Sequence, residues 1–256
     1  MRNKCIVLAI TFCFCTVAFI GKTEAQTYDA ADVAVIQALI TNNGLLANPN
    51  DPSSWDFATW DTNTPKQLIE LDFHYSAGHF ELTGNASFVG LINLKVLACD
   101  SSNLTSLNVN GCINLELLLC CANNLAQLDV SHLTNLQGLN CSGNNLTQLD
   151  MSGLVNLQMV FCFENNLTQL NVSGCTNLSA LLCDDNNLTQ LNIHDCIRLE
   201  WLNCGDNNLT QLDVTGFTEL QDLACYGNNL TQLDVSSCTK LFSFHCCRSH
   251  LIRYMF

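Results

Sequence analysis

The sequence predicts a solenoid: a stack of short coils with a parallel sheet along one face, closed at its start by a small helical cap. Three observations predict it. From Ile92 a 21-residue register runs without insertion through seven full copies to Cys238, and an eighth, incomplete copy continues to Phe256. Counting places from Ile92, place three is Leu in all eight copies, from Leu94 to Leu241, and place eight is Cys in all eight, from Cys99 to Cys246. A single unit of this length cannot bury an apolar side alone, so units repeating this strictly must stack on one another.

In chain order the first element is a secretory signal. Arg2 and Lys4 precede an apolar run from Ile6 to Ile20, and Thr23-Glu24-Ala25 supplies small residues at the two places a signal peptidase reads. The run is too short and wrongly flanked for a membrane span, and cleavage is expected after Ala25. Cys13 and Cys15 lack the small residues that precede a lipidated cysteine. Six of the nine Lys and Arg and 22 of the 23 Asp and Glu remain beyond Ala25, a formal charge of −16. That balance disfavours nucleic acid and adsorption to an anionic membrane.

Residues 26–91 depart from the register and read as an N-terminal cap. Asp32 is expected to cap a helix through Val33, Ile36, Leu39 and Ile40, which Asn43-Gly44 would stop. A turn-rich connection follows from Asn48 to Ser53. Trp55, Phe57 and Trp60, then Leu68, Ile69, Leu71 and Phe73, are expected to cover the open end of the first coil. The competing reading makes Trp55 and Trp60 a stacking platform for a sugar.

Residues 92–256 carry the repeats. The strand is expected over places five to nine, with places six and eight inward and places five, seven and nine outward. Leu at places three, six, thirteen and sixteen, with Val, Ile or Met at eighteen, fills the interior. Asn123, Asn144, Asn165, Asn186, Asn207 and Asn228 fall in the turn after the strand, where an inward amide satisfies backbone groups the bend leaves unpaired. The final copy departs into Ile252-Arg253-Tyr254-Met255-Phe256, and an uncovered coil there would favour self-association or continuation in a longer array.

The spacing LxxLxCxxNxL, with Leu94, Leu97 and Cys99 as its first instance, resembles the leucine-rich-repeat family in the short form found in secreted bacterial proteins. The resemblance covers residues 92–256. It implies a leucine-rich-repeat solenoid with a parallel β-sheet on the concave face and a mostly irregular or short-β convex side. Most such proteins bind other proteins, but the resemblance names no partner.

Fourteen cysteines lie beyond Ala25. Export favours disulfides, yet place-eight thiols on neighbouring parallel strands point the same way, a poor geometry for S–S bonding. Place twenty-one is Cys112, Cys175, Cys196 and Cys238 but also Leu133, Leu154 and Phe217, so it asks for apolar volume. The expectation is a packed ladder of free thiols, with Cys175 and Cys196 the pair to test for a bridge and Cys121 and Cys247 the reactive exceptions. His245, Cys246, Cys247 and His250 match no zinc spacing, and Asp184, Asp185 and Asp206 lack the loop of a dedicated calcium site. No cofactor is implied. The Asn-Leu-Thr sequons, such as the one at Asn145, follow from the repeat itself.

No nucleophile elbow, HExxH helix or phosphate loop occurs, so a catalytic role is not indicated. Variation concentrates instead on the outward strand places. Met159, Phe161 and Phe163 stand together, with Leu117, Leu119, Leu182, Trp201 and Tyr226 in the same rows and Glu164, Asp184, Asp185, Glu200, Asp206 and Asp222 as an acidic rim. Apolar anchors rimmed by charge are what a protein-binding patch needs. The candidate site is therefore Leu117, Leu119, Met159, Phe161, Phe163, Leu182, Asp184, Trp201, Asp222 and Tyr226, on a secreted or surface-exposed module, with the periplasm as the other compartment. A structural or adhesive surface element without one partner is the alternative.

Overall fold

Each of the eight copies contributes a three-residue strand at places five to seven, from Val96–Ala98 to Ser243–His245, and these strands stack in parallel. The computed structural model describes residues 26–73, 81–247 and 253–255. The signal-peptide expectation for residues 1–25 lies outside the described residues, as do Arg248, His250, Leu251, Ile252 and Phe256. One sheet of ten strands runs the length of the molecule on its concave face. Its members are in unbroken register, with Leu97 beside Leu118, Leu139, Val160, Leu181, Leu202, Leu223 and Phe244 in turn. The strands are shorter than the five places expected. Backbone hydrogen bonds nevertheless continue beyond place seven, as where Cys99 N donates to Leu119 O and Ser101 N to Cys121 O.

The interior follows the register. Places three, six, eight, thirteen, sixteen and eighteen form one continuous buried core, and it extends unbroken into the cap. Burying this leucine column is the main driving force, at roughly 25 cal/mol per Å² of apolar surface. The opposite side is irregular apart from short parallel pairs, Gln148–Asp150 with Gln169–Asn171 and Gln232–Asp234 with Arg253–Met255. In the last coil Leu241, Phe244 and Cys246 are only partly buried, and Phe242 is exposed.

The cap differs in detail from its expectation. Its helix, Ala30–Asn43, is capped by Asp29, whose carboxylate accepts from Ala31 N and Asp32 N. Asp32 sits one turn in and is buried, and it accepts from Leu68 N at 2.9 Å, tying helix to sheet. A carboxylate was thus read as a local cap where it makes a bond 36 residues away. Gly44 ends the helix in the left-handed conformation, as the Asn43-Gly44 signal predicts. Trp55, Phe57 and Phe73 are buried in the core, so Trp55 offers no sugar platform; its indole N–H donates to Asn48 O.

Leu68–Asp72 pairs in parallel with Val96–Ala98, with Leu71 opposite Leu97. Thr83–Ser87 pairs with Asn103–Asn108. Residues of the cap region therefore form a coil of their own ahead of Ile92.

Candidate protein-binding face

The turn that follows each strand is held by the place-eleven asparagines. Asn144 Nδ2 donates to Cys120 O, Cys141 O and Ser142 O, and its Oδ1 accepts from Leu125 N at 2.9 Å. Asn123, Asn165, Asn186, Asn207 and Asn228 repeat this set coil by coil. One amide thus satisfies groups in two adjacent coils that the bend would leave buried and unpaired. Place-eight cysteines line the core behind them, fully buried from Cys99 to Cys225. Burial pushes the Cys141 and Cys225 thiols up to about 12, far from the thiolate needed for reactivity. At place twenty-one Cys175 and Cys196 are free, and each donates to its own carbonyl, Met151 O at 3.2 Å and Val172 O at 3.6 Å.

On the outward places the sheet register gathers the candidate residues. Met159, Ala180, Trp201 and Asp222 are successive neighbours in one row, and Phe161, Leu182 and Asn203 in the next. Trp201 is 43% exposed, while Met159, Phe161, Phe163 and Leu182 are half-buried against one another's coils. Leu117 and Leu119 lie two strands away, across Gly138 and Asn140. Gly138 has no side chain to fill the gap: a Cβ there would stand 2.8 Å from Leu117 Cδ1, so the Leu117 side chain lies over it.

The same device operates at the other end. A Cβ at Gly205 would meet the Tyr226 ring at 2.5 Å, so the ring lies over Gly205 and toward Asp184. Gly138 and Gly205 occupy outward places, and the size of their neighbours was the signal that they are spaces to be filled. Cys121 is another correction. Its thiol faces outward but is half-buried, and burial with nearby Asp100 pushes it up to about 11, so the exposed Cys247 is the reactive exception.

The acids of the rim do not share one environment. Place ten adopts positive φ in every described coil, and where Gly143 and Gly227 occupy it elsewhere, Glu164, Asp185 and Asp206 occupy it here. Asp184, though at an outward place, is buried, with 7% of its surface exposed. Burial raises its carboxyl to about 6, and Asp185 and Glu164 add to the effect. Burial and Asp206 raise Asp185 as well. Glu200, by contrast, accepts from Gln221 Nε2 at 3.0 Å.

A second concavity, about 730 Å³, runs along the flank before the sheet between Asn93, Lys95, Asn114, Glu116, Asn135 and Gln137. Its asparagines are committed to the scaffold: Asn114, Asn135, Asn156 and Asn177 each donate to a carbonyl of the preceding coil. Among the described residues no three His, Cys, Asp or Glu side chains converge to hold a metal ion, and no helix is long and apolar enough to cross a membrane.

A coiled stack of this kind, with constant turns and a variable strand face, defines a parallel-sheet repeat solenoid. Solved structures agree. A leucine-rich-repeat protein from Leptospira interrogans matches 75% of the chain at 23% identity with a TM-score of 0.58, and YopM from Yersinia enterocolitica matches 64% at 23% identity with a TM-score of 0.57. The functional domain of InlJ from Listeria monocytogenes, which includes a cysteine ladder, matches 74% at 31% identity with a TM-score of 0.49. The chain spans 57%, 35% and 51% of those three chains respectively. No protein-family model matches the chain, and no curated protein matches it. The chain is a leucine-rich-repeat protein with a 21-residue repeat.

Proposed function

We propose that the chain is a secreted or surface-exposed protein-binding module whose partner docks on the concave sheet, centred on Phe161, Leu182 and Trp201. The observation that supports this most is the contiguity of the apolar rows from Leu117 through Met159 and Phe161 to Trp201, closed at both ends by side chains leaning over glycines. A half-exposed tryptophan flanked by half-buried aromatics has the make-up of an interface centre, where a few anchors carry most of the affinity. The register leaves the rest of the coil to structure. The formal charge of −16 beyond Ala25 argues against nucleic acid as the partner.

The test is selection of peptides from a random display library on the mature protein. Phe161→Ala and Trp201→Ala should each weaken the selected peptides by roughly 1–3 kcal/mol while leaving thermal unfolding close to that of the parent. Peptides that bind both variants as tightly as the parent would place the site elsewhere. The exposed Phe242, beside the partly buried Leu241 and Phe244, favours one further contact, self-association through that surface. Light scattering over a concentration series reads this out, and a monomer at every concentration refutes it.

A further inference from the structure

We propose that the acidic corner of this face seats one basic side chain of the protein partner, an arginine best, against Asp184 between Phe163 and Tyr226. This rests on the protein-binding reading above and names the chemistry of the partner. The first observation is a buried group with unused bonding capacity. Asp184 is 93% buried, since 7% of it is exposed, and its Oδ1 has no hydrogen-bond partner. A buried carboxylate oxygen left unpaired costs the protein free energy, which a donor that enters as the covering Tyr226 ring moves aside would recover.

The second observation is what surrounds it. Besides burial, the groups that act on the Asp184 carboxyl are its own backbone N–H and Asn203, which hydrogen-bond it, and Asp185 and Glu164, which repel its charge. Tyr226 feels Asp184, Asp206 and Asp185 in turn. The ion pairs among the described residues are Lys95–Glu116 and Lys240–Glu219, neither of which involves this corner. Four carboxylates thus lie across three adjacent coils without a described cation to balance them.

Three of these acids, Glu164, Asp185 and Asp206, sit at the left-handed turn position that Ser101, Ala122, Gly143 and Gly227 hold in other coils.

The third observation chooses the ligand. No three of the described acids converge as a metal ion requires, so the cluster suits a larger, flatter cation. A guanidinium offers several donors in one plane, can bridge carboxylates and stacks on aromatic faces. Phe163 precedes Asp184 by one coil at the same place, and the Tyr226 ring covers Gly205 on the coil that follows Asp184. Trp201 and Leu182 of the apolar patch lie on the adjoining strands. A basic residue set in an apolar surface would meet both parts of this face together.

The experiment titrates nitrogen-15-labelled mature protein with N-acetyl-arginine amide, with its neutral citrulline analogue, and with calcium chloride alone. The expected result is saturable shifts of the Asp184, Asn203 and Gly205 amides and of the Trp201 indole with the arginine compound alone. Those shifts should be lost in Asp184→Asn, whose fold is checked by its unfolding transition. In the unmodified protein the binding should fade as pH falls from 7 to 5, because Asp184 takes up its proton near 6. Patch-dependent library peptides that contain arginine should weaken about tenfold or more on Asp184→Asn, and their citrulline versions should not respond. Calcium shifts without arginine shifts, or equal response to arginine and citrulline, would overturn the proposal. So would peptides that lose affinity in Phe161→Ala yet bind Asp184→Asn as tightly as the parent, and in that case the protein-binding reading would stand alone.

Discussion

Two sets of acids in this molecule occupy opposite circumstances. On the turns of the outer side, Asp129, Asp213 and Asp234 each accept hydrogen bonds from the side-chain hydroxyl and the backbone N–H of the residue two on, and these bonds hold their carboxyls below the usual range. At the concave corner Asp184 and Asp185 are raised, by burial first and then by neighbouring acids, Asp185 and Glu164 on Asp184, Asp206 and Glu164 on Asp185. Both sets come from the same repeat and the same composition. The outer acids complete a turn and are explained by folding alone. Those at the corner oppose folding, and that cost is what the proposed contact with a basic side chain would offset.

The comparison can be broken most forcefully at adjacent residues. Asn165→Ala removes the acceptor of Leu146 N and the donor to Cys141 O, Cys162 O and Phe163 O. It should cost about 3 kcal/mol or more by urea unfolding, since several buried groups lose their partner at once. Glu164→Ala, one residue earlier, should cost nearly nothing. Equal losses would show that the corner acids are structural after all.

A sharper version uses pH. The raised Asp184 takes up its proton more readily in the folded state than in the unfolded chain, so its contribution to stability grows as pH falls from above 6 toward the ordinary carboxylate range. The lowered outer acids act in the opposite sense: their stabilisation is complete above the ordinary carboxylate range and is lost as pH falls through their depressed values. Melting temperature should therefore rise between pH 7.5 and 5 and turn down below about pH 4. In Asp184→Asn the first rise should shrink and the acid limb should persist.

The thiols give the smallest effect. Maleimide labelling of the native protein should reach Cys247 first, while Cys121 and the buried ladder should label at an appreciable rate only after denaturation. Prompt labelling of Cys141 would mean that the core opens where the register says it is closed.

Much of this was legible in the sequence because the register is strict. Places three, six and eight assign the core, and the place-eleven asparagines announce the turn. What was hidden depended on contacts outside the register. The coil ahead of Ile92 has Phe73 where later coils have Cys, and Leu71 precedes Leu97 by 26 residues, so it falls out of phase. Asp32 looked like a local cap because its partner Leu68 is remote in sequence. The corner itself was visible as a row of acids, but its burial was not, because Asp184 is covered by neighbours whose size matters only once Gly205 is seen to admit the Tyr226 ring.

The central claim, that acids raised by burial lie on the variable face and acids lowered by hydrogen bonds lie on the turns, is tested most directly by carbon-detected NMR titration of individual carboxyl groups. Asp184 should titrate near 6, and Asp129, Asp213 and Asp234 below the ordinary aspartate range. An Asp184 that titrates with the outer acids would be solvated or already paired, and the contrast on which the binding corner rests would be gone.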